Sequence, residues 1–148
     1  MTSSSERSVV IDASFALKWQ LDDEADTEPA LLLRDDVLVR KRITAHAPTL
    51  FVYELTNGVV SALRRKRLDA AVGQRVLRNL LSVGVVLGIP ALERTLELAL
   101  EYELSAYDSS YVALAEQLGI ELWTADRQLY DAVGISLPWV RWISDYSS

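Results

Sequence analysis

VVIDASFALKW, residues 9–19, carries the reading from which the fold follows. Val9, Val10 and Ile11 form a β-branched run with no turn residue inside it. Together with Ser8 they predict a buried strand over Ser8–Ile11. Asp12 ends that run, and Ala13 to Gln20 has helical composition. Asp12 is the only charge between Ser8 and Leu17. An apolar strand that stops on a single carboxylate and passes into a helix is the opening of an α/β domain.

Working outward, the same alternation repeats. The acidic stretch Asp22 to Glu28 starts a helix that tolerates Pro29 in its first turn and runs to about Arg42. Ile43–Ala47 is a short strand. Pro48-Thr49 opens a long helix ending near Arg67, and Leu68-Asp69 starts the next, which ends by Gly84. Val85–Ile89 is a strand. Pro90 opens a helix through about Glu103. Ala106–Leu118 is a helix closed by Gly119. Ile120–Thr124 is a strand, Asp126–Val133 a short helix, and Val140–Ile143 a last strand. Short apolar strands alternating with helices predict a three-layer α/β/α domain around a mostly parallel sheet. Ligands of such sheets sit outside the carboxyl ends of the strands.

The 148 residues suit one domain, 1–148, with residues 1–7 as a flexible tail. Half the residues are apolar, enough for a core. No apolar run reaches the roughly 18 residues that span a membrane, and MTSSSERS lacks the apolar segment of a secretory signal. With no cysteine, disulfides and thiolate metal sites are excluded. The expectation is a cytoplasmic protein with no membrane partner.

Four acids stand nearly alone in apolar sequence: Asp12, Glu54, Asp108 and Asp126. Glu54 is the only charge between Ala47 and Leu63, and Asp108 the only one between Leu104 and Ala115. Asp126 follows the strand Ile120–Thr124. Carboxylates are seldom buried unless paired or bound to metal. Any one of them could be a helix cap, but four near strand ends or helix starts point to a shared site. Around Glu54, the residues Asn57, Gly58 and Ser61 follow at i+3, i+4 and i+7, a polar stripe on an otherwise apolar helix. Four carboxylates brought together repel, and a divalent cation removes that repulsion. Oxygen donors with a single histidine, His46, select Mg²⁺ or Mn²⁺ over zinc. His46 itself is read as structural. Acid-held Mg²⁺ suits phosphodiester chemistry.

The net charge is −6, but with the four site acids set aside 17 acids face 15 bases. Ten of those bases lie between Arg34 and Arg78, in runs such as Arg40-Lys41-Arg42 and Arg64-Arg65-Lys66-Arg67. Such runs steer a phosphate backbone or simply solvate helix ends. Lys18, Arg64, Arg65, Lys66 and Arg127 are the candidate phosphate contacts.

VVIDASFALKW, with Asp12, Ser14 and Lys18-Trp19, resembles the opening of PIN-domain proteins of the VapC toxin type. PTLFVYELTNGV, with Glu54 and Asn57, resembles the second acidic motif of that family. YDSSYVALAEQLG, with Asp108, resembles the third, and LWTADRQL, with Thr124 and Asp126, the fourth. The motifs occur in the family's order over essentially the whole chain. The resemblance implies a PIN-like fold and an Mg²⁺- or Mn²⁺-dependent endoribonuclease, the toxin of a VapBC-type pair. It implies that Asp12, Glu54, Asp108 and Asp126 hold metal while Ser14, Asn57 and Thr124 orient them. It also implies a homodimer and a VapB-like antitoxin, whose groove Phe15, Trp19 and Leu21 could line.

The alternatives are a PIN-like nuclease outside a toxin system, or a non-catalytic α/β protein-binding domain. A dehalogenase-type phosphatase would want an acid where Ser14 stands. A phosphoreceiver would want a late lysine, and the last lysine is Lys66.

Overall fold

The computed structural model describes residues 7–21 and 27–148. Five strands, β1 (Arg7–Ile11), β2 (Ile43–Pro48), β3 (Val86–Gly88), β4 (Glu121–Thr124) and β5 (Val140–Trp142), form one sheet in the order β3-β2-β1-β4-β5. Every pairing is parallel. Seven helices are found among the described residues: α1 (Ala13–Leu17), α2 (Thr27–Leu38), α3 (Phe51–Arg64), α4 (Ala70–Leu81), α5 (Leu92–Tyr102), α6 (Ala106–Leu118) and α7 (Arg127–Val133).

Successive residues of a strand point to opposite faces. Val9, Val10 and Ile11 are all fully buried, so β1 is covered on both sides. That is why its sequence is a continuous apolar run rather than an alternation. Helix α6 packs on β1 and β2, and α2 packs on β2. Ser109 through Ala115 of α6 are all buried. This explains why α6 shows small and apolar residues around its whole circumference. Trp123 and Tyr146 meet edge to face, as do Phe15 and Tyr146. Phe15 and Trp19 are therefore core residues, and the Trp19 indole donates to the Ala30 carbonyl at 2.8 Å.

Three expectations need correction. Arg7 is not part of a tail: it pairs with Ile43 in β1 and contacts Glu121 at 2.7 Å. Helix α2 ends at Leu38 rather than Arg42, because Lys41 takes a left-handed backbone and the Arg42 amide returns to the Asp36 carbonyl. Helix α3 ends at Arg64 rather than Arg67. Lys66 is left-handed (φ 56°), the Arg67 amide donates to the Ala62 carbonyl, and the Lys66 amide donates to that of Leu63. These are the two hydrogen bonds of a Schellman turn. A lysine occupies the position that glycine usually marks, so neither helix end is visible in the composition. The predicted start of α2 at Asp22–Asp26 lies outside the described residues.

The strand order reverses between β1 and β4. β1, β2 and β3 run outward in one direction, and the chain then returns to lay β4 on the other side of β1. A crevice at the carboxyl ends of β1 and β4 follows from that switch.

Candidate active site

The crevice is built from the four acids. Asp12 follows β1 and caps α1, and Asp126 follows β4 and caps α7. Glu54 lies in the first turn of α3 and Asp108 in the first turn of α6. Asp12, Glu54, Asp108 and Asp126 line one cleft of about 230 Å³ with Ser14, Asn57, Gly58 and Tyr111. Two of the four are caps: the Phe15 amide donates to Asp12 and the Gln128 and Leu129 amides donate to Asp126, at helix starts that carry partial positive charge.

Asp12 is 4% exposed, and both of its carboxylate oxygens are engaged. Ser14 Oγ donates to its Oδ1 at 2.5 Å, the Phe15 amide donates to the same oxygen at 3.0 Å, and Thr124 Oγ1 donates to Oδ2. The chain locks these donors in turn. The Ala125 amide donates to Ser14 Oγ and the Asp126 amide to Thr124 Oγ1. Ser14 and Thr124 therefore orient Asp12 and tie β1 to the start of α7. Even so, burial pushes the Asp12 carboxyl up to about 6, with the Asp126 charge adding to the rise. Glu54 is raised by burial, then by Asp108 and Asp126; Asp108 is raised by burial and by Asp126. The acids repel through the cleft, and among the described residues no basic side chain lines it.

Asp36 provides an internal contrast. It is 1% exposed and also accepts three donors: Arg40 at 2.8 Å, Tyr146 Oη at 2.6 Å and Ser148 Oγ at 2.9 Å. Burial raises it, but the Tyr146, Arg40 and Ser148 bonds outweigh burial and hold it below the usual range. The two aspartates differ in depth and in partner: Asp12 lies deeper, and among the described residues a guanidinium touches Asp36 and none touches Asp12. A hard cation in the cleft would supply that charge to an all-oxygen donor set. Among the described residues no three acids or histidines close into a ready-made metal cage. The cleft fits a hydrated ion such as Mg²⁺, which keeps waters and takes few direct carboxylates.

The remaining candidates separate in space. Asn57 lines the cleft but, among the described residues, holds none of the four acids by a hydrogen bond. Lys18 and Arg65 line an adjoining groove, whereas Arg64 and Lys66 line neither. Arg127 stacks over Trp142, 3.9 Å from the ring centre, and lies 3.7 Å from Asp131. Arg40-Lys41-Arg42 precede β2 and so stand at the opposite end of the sheet from the cleft. His46 lies within β2 opposite Val10, and burial lowers its pKa, in keeping with a structural role.

Sequence reasoning misses Tyr111. It is buried, lines the cleft and donates to Glu54 Oε1 at 2.5 Å. The available signal is its spacing, one helical turn after Asp108. Tyr111→Phe is expected to slow turnover roughly 10-fold, the scale of losing a partner that orients a site acid. Glu54 then rises further because the bond that favours its charged form is gone. The acidic limb of the pH–rate profile should move to higher pH, and an unmoved limb would show Tyr111 to be packing alone.

A parallel α/β sheet with an acid-lined cleft at its switch point defines the class. A model of the PIN domain matches residues 9–135, and the chain belongs to the PIN domain family. Ribonuclease VapC9 of Mycobacterium tuberculosis is 37% identical over 127 residues, 83% of this chain and 89% of that protein. Exonuclease VapC9 of Pyrobaculum aerophilum is 36% identical over 100 residues, 68% of this chain and 75% of that protein. The crystal structure of PAE2754 from Pyrobaculum aerophilum matches with a TM-score of 0.72 at 26% identity, covering 94% of this chain and 85% of that one.

Proposed function

We propose that this chain is a metal-dependent endoribonuclease, the toxin of a VapBC-type pair, with Asp12, Glu54, Asp108 and Asp126 holding Mg²⁺ or Mn²⁺. The observation that carries the reading is Asp12, buried and hydrogen-bonded at both oxygens yet lacking the cation that Asp36 has. The ribonuclease names of the relatives supply the substrate class. Divalent-metal dependence is general among VapC nucleases of this family.

A bound divalent ion supplies charge neutralisation and Lewis acidity at a phosphodiester. The protein's part is placement. Ser14, Thr124 and the Phe15 amide fix both oxygens of Asp12, and Tyr111 fixes Glu54. Asp108 and Asp126 complete a negative rim that would repel RNA without the ion. Cleavage of an RNA panel in Mg²⁺ or Mn²⁺, abolished by EDTA, is expected, with a rise in melting temperature on adding metal. One relative is named an exonuclease, so a circular RNA belongs in the panel. An endonuclease opens it, and failure to open it while linear RNA is trimmed would sink the endonucleolytic reading. No cleavage and no metal-dependent shift would favour the non-catalytic alternative.

The proposed partners are RNA, a VapB-like antitoxin and a second copy of the chain in the cytoplasm. No described helix is long and apolar enough to cross a membrane. The homodimer has a candidate surface in α5, where Leu92, Leu96 and Leu100 share one face at 71%, 61% and 74% exposure, with Ile89 beside them in sequence. A lone domain seldom leaves so continuous an apolar stripe in water. Leu96→Lys is expected to convert a dimer to a monomer by light scattering, with the fold intact by circular dichroism.

A further inference from the structure

The polar stripe of α3 does not end at the acidic cleft. Glu54, Asn57 and Gly58 line the cleft, while Gly58, Ser61 and Arg65 line the groove of about 270 Å³ that adjoins it. Ser14, Leu17 and Gly58 belong to both. From Glu54 to Arg65 the helix rises about 16 Å. Along that distance the charge inverts, from four carboxylates at one end to Lys18, Arg65 and Arg67 at the other.

The turn that ends α3 produces this placement. The left-handed Lys66 reverses the chain so that Arg67 returns toward the groove, while Lys66 and Arg64 stay out of it. Lys18 and Arg67 each already have a partner in the folded chain, so a phosphate would compete for or share those cations. Where the two spaces meet, a Cβ on Gly58 would sit 2.6 Å from Leu17 Cδ1, so the glycine lets Leu17 pack directly on α3.

We propose that this groove binds the backbone phosphates of the RNA strand flanking the cleaved bond, held by Lys18, Arg65 and Arg67. The proposal rests on the ribonuclease reading above. A chain of net charge −6 whose cleft, among the described residues, has acids as its charged side chains must gain affinity for a polyanion elsewhere. The groove is the cationic space continuous with the cleft. The apolar flanks Leu17, Leu21 and Ala62 offer surface to bases and riboses of a single strand. A peptide that enters with a basic side chain would meet repulsion from the same three cations, so phosphate is the better match.

The test compares two double variants of equal charge change, Arg65→Gln/Arg67→Gln in the groove and Arg64→Gln/Lys66→Gln outside it. RNA oligonucleotide affinity is read by anisotropy in Ca²⁺, with the oligonucleotide checked to be intact afterwards, and kcat and KM in Mg²⁺. The groove pair should weaken RNA affinity and raise KM about 10-fold or more with kcat unchanged. The slope of log affinity against log salt should become shallower by about 0.7 for each phosphate that the variant no longer neutralises. The outer pair should change affinity less than twofold, and Arg65→Lys should retain most of the parent's. Equal losses in both pairs, or full affinity in the groove pair, overturn the groove assignment while leaving the ribonuclease reading intact. A parent chain that neither binds nor cuts RNA overturns both.

Discussion

Asp12→Asn is expected to cut RNA at least about 100-fold more slowly than the parent in Mg²⁺, while folding as well or better without metal. The loss follows from removing a charge at the one acid whose oxygens are both fixed by Ser14, Phe15 and Thr124. The gain in metal-free stability follows from linkage. The Asp12 carboxyl is pushed from 3.8 up to about 6 in the folded chain, chiefly by burial. The folded state therefore holds that proton more tightly than the unfolded state does. The group's contribution is fully present below pH 3.8 and is lost as pH rises through about 6. At about 1.4 kcal/mol per tenfold change in affinity, roughly 3 kcal/mol disappears by pH 8. In EDTA, urea unfolding of the parent should weaken from about pH 4 to pH 8, and the Asn variant should lose the Asp12 share of that slope while keeping the part from Glu54 and Asp108. Saturating Mg²⁺ should restore the parent and leave the variant unmoved. A variant that cleaves as fast as the parent would remove Asp12 from the site. A parent with no pH slope in EDTA would mean that its carboxylate is already compensated.

Asp36→Ala is expected to lower stability by about 3 kcal/mol without altering kcat. At 2–4 °C per kcal/mol for a domain of this size, the melting temperature falls by roughly 10 °C. The carboxylate joins α2 to the C-terminal residues, since Tyr146 Oη and Ser148 Oγ both donate to Oδ2 and Arg40 to Oδ1. Tyr146 packs edge to face on Trp123, so releasing its hydroxyl loosens one face of the sheet. The pH dependence runs opposite to that of Asp12. The folded pKa of Asp36 lies below 3.8, so its stabilisation is complete above 3.8 and is lost only as pH falls through the lower folded value. Urea unfolding of Asp36→Ala, Tyr146→Phe and the double variant tests the coupling. Strict additivity would show that the hydrogen bond contributes nothing.

These two aspartates mark the limit of what residue order can reveal. Asp12 is legible because it interrupts an apolar strand. Asp36 is not, because it stands in Arg34-Asp35-Asp36 within a helix of mixed charge, where an acid ordinarily faces water. Its burial depends on Tyr146 and Ser148, more than 100 residues away. Tyr111 is hidden for a related reason: an aromatic in an apolar helix fits the core, and its hydroxyl gains meaning only when Glu54 of α3 comes within 2.5 Å. The basic run 64–67 reads as one patch in sequence. The turn at Lys66 divides it, turning Arg65 and Arg67 inward and leaving Arg64 and Lys66 outside.

The sequence by itself determined the alternation of buried strands and helices, and with it a parallel sheet and four isolated acids. Apolar runs and their interruptions are local, and burial of a carboxylate is costly enough to leave a trace in composition. Only the tertiary structure decided that β4 lies beside β1, and so that Thr124 reaches Asp12 across 112 residues of chain. It also decided which buried acid has a cation of its own. Strand order and through-space pairing depend on how distant segments pack, and no local pattern records that. The stretch Val9–Trp19 announced an acid at the end of a strand, and the fold placed three more around it.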